Sequence, residues 1–85
     1  MHIEYSSDFI KHYKKLPVEI QLLAETKMEI FKANPFDVSL RTHKLSGSLA
    51  GMWSFSVNYK YRILFSFVER DIAWFYLIGG HEVYK

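Results

Sequence analysis

A chain of 85 residues with 49% hydrophobic and 24% charged residues has ordinary globular usage, and is long enough for one core but not two. The absence of cysteine excludes a disulfide framework, a thiol nucleophile and a cysteine-based zinc site. Eleven Lys and Arg against nine Asp and Glu leave a net charge of +2, which permits contact with nucleic acid without requiring it.

The longest apolar runs fall far short of the ~20 residues that span a bilayer. Met1-His2-Ile3-Glu4-Tyr5 has no apolar signal region. The expectation is a single cytoplasmic domain over residues 1–85 with no membrane contact. Aromatic residues make up 18% of the chain, enough to build most of a small core from large side chains and leave a few to stack on bases.

His2 to Tyr5 alternates and predicts a first strand. Ser6-Ser7-Asp8 offers a helix N-cap with an acid in the first turn. Phe9, Tyr13 and Leu16 follow at helical spacing, and Pro17 ends that helix and opens the next. The second helix is predicted from Pro17 to Ala33, with Ile20, Leu23, Ala24, Met28, Ile30 and Phe31 on its apolar side. Asn34-Pro35 stops it. Residues 34–51 read as a long irregular connection, a kind of segment that often carries function.

From Met52 the period becomes two. Trp53, Phe55, Val57, Tyr61, Ile63, Phe65 and Phe67 should face the helices. Ser54, Ser56, Asn58, Arg62 and Ser66 should face away. Ile72 to Ile78 is apolar on both faces, which predicts a central strand. Gly79-Gly80 ends it. The expected fold is α+β in the order β-α-α-β-β-β, with two N-terminal helices packed on one face of a mainly antiparallel sheet.

Four histidines stand at positions 2, 12, 43 and 81. None has the i, i+4 spacing of a zinc helix, so no metal site is expected. Taken singly, each histidine reads as a surface residue and Arg62 as a solvated cation. Taken together, His43, His81 and Arg62 are the groups needed to cleave RNA without a metal. One imidazole removes the 2′-hydroxyl proton and the other protonates the departing 5′-oxygen. The arginine stabilises charge on the scissile phosphate. Spacing permits these three to meet but does not show that they do. There is no phosphate-cradling glycine loop and no nucleophile elbow.

Several stretches resemble the RelE/ParE superfamily of bacterial type II toxins, in its YoeB- and YafQ-like branch. They are Phe9-Ile10-Lys11, Tyr13-Lys14-Lys15-Leu16-Pro17, Asn34-Pro35-Phe36, His43-Lys44-Leu45-Ser46-Gly47 with Gly51-Met52-Trp53-Ser54, Tyr61-Arg62-Ile63-Leu64-Phe65, and Ile78-Gly79-Gly80-His81-Glu82-Val83-Tyr84. The resemblance runs over the whole chain and implies a RelE-like fold and an mRNA interferase. His43 would fall on the general base, Arg62 on the phosphate-stabilising arginine and His81 on the general acid. Tyr84 would fall on a base-stacking aromatic, and Arg41, Lys44 and Lys60 would be phosphate contacts. The implied partners are a cognate antitoxin in a hetero-oligomer, mRNA and the ribosome, with no cofactor. Two other readings stay open: a ParE-like inhibitor of DNA gyrase, and a catalytically silent antitoxin-binding relative.

Overall fold

The alternating tetrapeptide His2–Tyr5 forms β1, with Ile3 turned into the core. This computed structural model describes residues 1–80 and Val83. His81 and Tyr84, the expected general acid and stacking aromatic, lie outside the described residues. Ser6 caps α1 (Ser7–Lys14) as its sequence predicts: its hydroxyl accepts from the Phe9 amide at 2.8 Å. The same hydroxyl donates to the Tyr76 carbonyl at 2.6 Å, which fastens the helix start to the last strand.

Pro17 stands at the N-cap of α2 (Val18–Ala33), and Asn34 leaves helical geometry at its end. Ala24, Met28 and Phe31 are its buried residues, so the apolar side anticipated from the sequence is the side that packs.

The connection after α2 is more ordered than its sequence implies. It contains 3-10 turns at Val38–Leu40 and Gly47–Leu49, and between them a strand, β2 (His43–Lys44). A two-residue strand is too short to display a period, and its partner alone defines it. The loop that returns from β2 uses Gly47 and Gly51 at φ +67° and +92°, where a side chain would be strained.

The remaining strands are β3 (Trp53–Ser56), β4 (Arg62–Glu69) and β5 (Ile72–Gly79). The five-stranded sheet runs β1-β5-β4-β3-β2. β1 is parallel to β5, and the other neighbours are antiparallel. The α+β class and the mainly antiparallel sheet are therefore as expected, with five strands where the sequence shows four. β5 is internal, in keeping with its apolar residues on both faces.

The core lies between the sheet and the two helices. Phe31 stacks on Phe55 at 5.0 Å and meets Phe65 and Phe75 edge-on at 5.0 and 5.2 Å. Ile3, Phe9, Ala24, Met28, Leu40, Val57, Ile63, Ala73 and Ile78 complete the buried cluster. Trp53 faces the helix side as expected but is only partly buried, at the rim beside Phe36 and Phe67. No helix among the described residues is long and apolar enough to cross a membrane.

Candidate nucleic-acid interface

Strand register decides which side chains share a face. His43 stands opposite Ser54, and Arg62 stands opposite Ser56. Directly opposed residues point the same way, and residues two apart on one strand do too. So His43, Ser54, Ser56 and Arg62 occupy the face away from the helices. His43 and Arg62 are two strands and two residues apart, about 12 Å between backbones, so their side chains can flank one phosphate. This face is not uniformly open, contrary to the alternation alone. Ser54 is fully buried, with His43 and Leu64 opposite it on either side, and Leu64 is itself buried.

The His43 ring is oriented by the backbone. Its Nδ1 lies 3.0 Å from the Arg41 carbonyl oxygen. A carbonyl can only accept, so Nδ1 carries the hydrogen, and in the neutral ring Nε2 is left with a lone pair. That is the tautomer a general base needs, on a side chain exposed to solvent.

Arg41 is itself unusual. It follows the 3-10 turn Val38–Leu40 and adopts φ 53°, ψ 41°, the left-handed region that non-glycine residues seldom enter. The turn is pinned at its start by Asp37, whose carboxylate accepts from the Ser39 hydroxyl at 2.7 Å and the Ser39 amide at 3.0 Å. Those bonds, the hydroxyl first, hold the Asp37 carboxyl below its ordinary range, and the charge of Lys27 adds a smaller push the same way.

Arg62 is held just as firmly. Its Nη1 donates to the Ser56 hydroxyl at 3.0 Å and to the Asn58 carbonyl at 2.6 Å. Asn58 closes the turn between β3 and β4, its Oδ1 accepting from the amides of Lys60 and Tyr61 at 2.9 and 2.8 Å. The guanidinium is thus pre-positioned rather than a freely solvated cation. It lines a polar cavity of about 220 Å³ together with Lys27, Ser39, Arg41, Ser56 and Asn58.

Of the other RNA-binding residues expected from the sequence, Arg41 joins this site. Lys44 does not. It stands opposite Trp53 on the helix side of the sheet, its ammonium 5.8 Å from the indole centroid. Lys60 lies in the adjoining turn with its ammonium 5.5 Å from the Tyr61 ring centroid. Sequence reading missed Lys27, although the signal is there. Ile20, Ala24, Lys27 and Phe31 fall on one line of the helix, so a lysine stands in the middle of the apolar stripe.

No family model matches the chain, and no curated protein matches it in sequence. Solved structures do match its fold. YafQ from Escherichia coli strain BL21(DE3) superposes with a TM-score of 0.78 at 20% identity, covering 96% of this chain and 94% of that one. The fold is the RelE/ParE toxin fold in its YafQ/YoeB form. A YoeB/ParE toxin from Agrobacterium tumefaciens gives a TM-score of 0.80 at 15% identity, over 95% of this chain and 99% of that one. A chain of a YoeB-YefM complex from Staphylococcus aureus gives 0.77 at 16% identity, over 95% and 97%. In this YafQ/YoeB fold the β2–β3–β4 face carries His43 and Arg62, and the β3–β4 turn carries the cationic cavity.

Proposed function

We propose that this chain is the toxin of a toxin–antitoxin pair and a metal-independent endoribonuclease that cleaves mRNA in the cytoplasm, with the ribosome as its platform. The observation that carries the reading is the His43 bond to the Arg41 carbonyl, on the same sheet face as a pre-positioned Arg62. Nε2 of His43 takes the proton from the 2′-hydroxyl, which attacks the adjacent phosphorus. The bond to the 5′-oxygen breaks, leaving a 2′,3′-cyclic phosphate and a 5′-hydroxyl. Arg62 stabilises the charge on the phosphoryl oxygens. His81 is assigned the proton delivered to the 5′-oxygen, and Tyr84 the stacking on a base. Both assignments rest on the sequence resemblance. The YoeB-YefM and DinJ-YafQ complexes among the matching structures support an antitoxin as the partner that silences this chain.

The test is induction in cells followed by primer extension on an abundant mRNA, comparing wild type with His43→Gln and His81→Ala. The expected result is growth arrest with new 5′ ends in the wild type only, at fixed positions within codons. Arrest without new ends would move the target from RNA to a protein such as gyrase. Undiminished cleavage in both variants would remove the acid–base mechanism.

A further inference from the structure

The cavity between α2, the Val38–Leu40 turn and the β3–β4 turn has features that cleavage at a single phosphate does not use. Its wall carries the cationic residues Lys27, Arg41 and Arg62, and among the described residues no carboxylate lines it. Among the described residues none of these three makes an ion pair. The nearby Asp37 is occupied by Ser39. Like charges gathered around a small volume repel one another, and an anion in that volume relieves the repulsion.

Two independent features show that the arrangement is built in. Lys27 interrupts the apolar line of α2 between Ala24 and Phe31, both fully buried, and is itself half-buried. It lines the cavity from the packed side of the helix, at the cost of an apolar side chain at that position. Arg41 enters the cavity from a left-handed backbone, a conformation that opposes folding and that glycine would adopt freely. Ser39, Ser56 and Asn58 add hydrogen-bonding groups to the wall. At about 220 Å³ the cavity has room for a phosphate, and its cationic and hydrogen-bonding lining matches that group's charge and acceptor oxygens.

We propose that this cavity is a second phosphate subsite, binding the phosphodiester next to the one that is cut, with Lys27 and Arg41 as its cations and Arg62 between the two positions. The proposal rests on the ribonuclease reading for the identity of the ligand, a single-stranded polyribonucleotide, and extends it to a residue on α2. Arg62 belongs to both positions. Its strand register puts it on the His43 face, and its guanidinium lines the cavity. The subsite reads backbone rather than sequence, so it fixes where the strand lies without choosing the base.

The experiment measures binding, not cleavage. A short single-stranded RNA with one 2′-deoxy nucleotide at the cutting position is titrated by fluorescence anisotropy at several salt concentrations. Wild type is compared with Lys27→Met, Arg41→Asn and, as a control far from the cavity, Lys11→Met. Met keeps the unbranched stem of Lys27, and Asn tolerates the left-handed backbone. Each cavity variant should weaken binding several-fold at low salt. Each should also flatten the slope of log K against log salt by about 0.7, one phosphate contact on a single strand. Lys11→Met should leave both unchanged. A folded Lys27→Met protein with wild-type affinity and slope overturns the subsite, and so does wild-type protein that does not bind the blocked RNA. Lys27-dependent binding by a protein that cuts no RNA would keep the subsite and discard the ribonuclease reading. Wild-type cleavage with a slope indifferent to Lys27 would do the reverse.

Discussion

The two sides of the sheet are built on opposite principles. On the helix side, Phe31, Phe55, Phe65 and Phe75 form a closed aromatic cluster with ring centroids 5.0 to 5.9 Å apart. These four rings are satisfied by one another. On the far side and around the β3–β4 turn, side chains are fixed by hydrogen bonds to backbone carbonyls and short polar groups, and among the described residues their charges have no ion-pair partner. The first region gives the fold its stability. The second keeps cations in set positions at the expense of strain and repulsion, as expected where a ligand completes the electrostatics.

The strongest way to test this contrast is to empty the core. Phe31→Ala should destabilise the protein by about 3–5 kcal/mol, because a fully buried ring touching Phe55, Phe65 and Phe75 leaves a cavity its neighbours cannot close. Urea unfolding measures it. A loss below about 1 kcal/mol would mean the cluster repacks freely and is not the source of stability.

The next largest effect should fall on activity. Arg62→Lys keeps the charge but gives up the guanidinium, whose Nη1 donates to both Ser56 and Asn58 while its other nitrogens stay available to a phosphate. Cleavage should fall by roughly 100-fold or more, the usual loss when a pre-positioned charge stabiliser is removed. Stability should change far less than in Phe31→Ala. Primer extension and urea unfolding on the same preparation check both halves. Cleavage at the wild-type level would show that charge alone suffices at this position.

Arg41→Gly separates strain from charge. The left-handed backbone costs an arginine about 1–2 kcal/mol that glycine does not lose. Glycine's greater freedom in the unfolded chain takes back about 0.4–1 kcal/mol. The variant should therefore be slightly more stable, by up to about 1.5 kcal/mol, while one cavity cation disappears. The carbonyl that orients His43 is retained. A more stable protein with weaker RNA binding would show that Arg41 is kept for its side chain. A less stable one would show that the arginine side chain stabilises the fold.

Sequence reading reached most of the fold because the long elements state their period plainly. α1 announces its start at Ser6, α2 its end at Asn34, and the large apolar residues Trp53, Phe55, Ile63, Phe65 and Phe67 recur at every second position within β3 and β4. β2 was hidden because two residues carry no period, and with it went the fact that His43 and Lys44 point to opposite faces. Placing His43 and Arg62 together depends on register across two strand pairs, which no local pattern encodes. Trp53 alternates with the core residues yet sits at the rim, because alternation gives the face but not the distance from its centre. Lys27 was legible as an anomaly in the α2 stripe. Its meaning depended on the turn that brings Arg41 beside it.

The smallest effect tests the helix side at its own edge. Tyr13 stacks near Phe9 at 6.1 Å, and its hydroxyl donates to Glu25 Oε2 at 2.8 Å and to the Gln21 carbonyl at 3.2 Å. Burial first, then the bond to Glu25 and its charge, push the phenol from 10.0 up to about 12. The folded state therefore holds this proton more tightly than the unfolded chain. The stability that the hydroxyl contributes is complete below pH 10 and is lost as the pH rises toward 12. Tyr13→Phe should cost about 0.5–1 kcal/mol at neutral pH, the net worth of an ordinary hydrogen bond. The difference between wild type and variant should then shrink above pH 10, because only the wild type loses stability as this phenol ionises. Urea midpoints measured in parallel from neutral pH upward show the convergence. A difference that stays constant through that range would mean the proton is not held by the fold, and that the α1–α2 edge rests on ring packing alone.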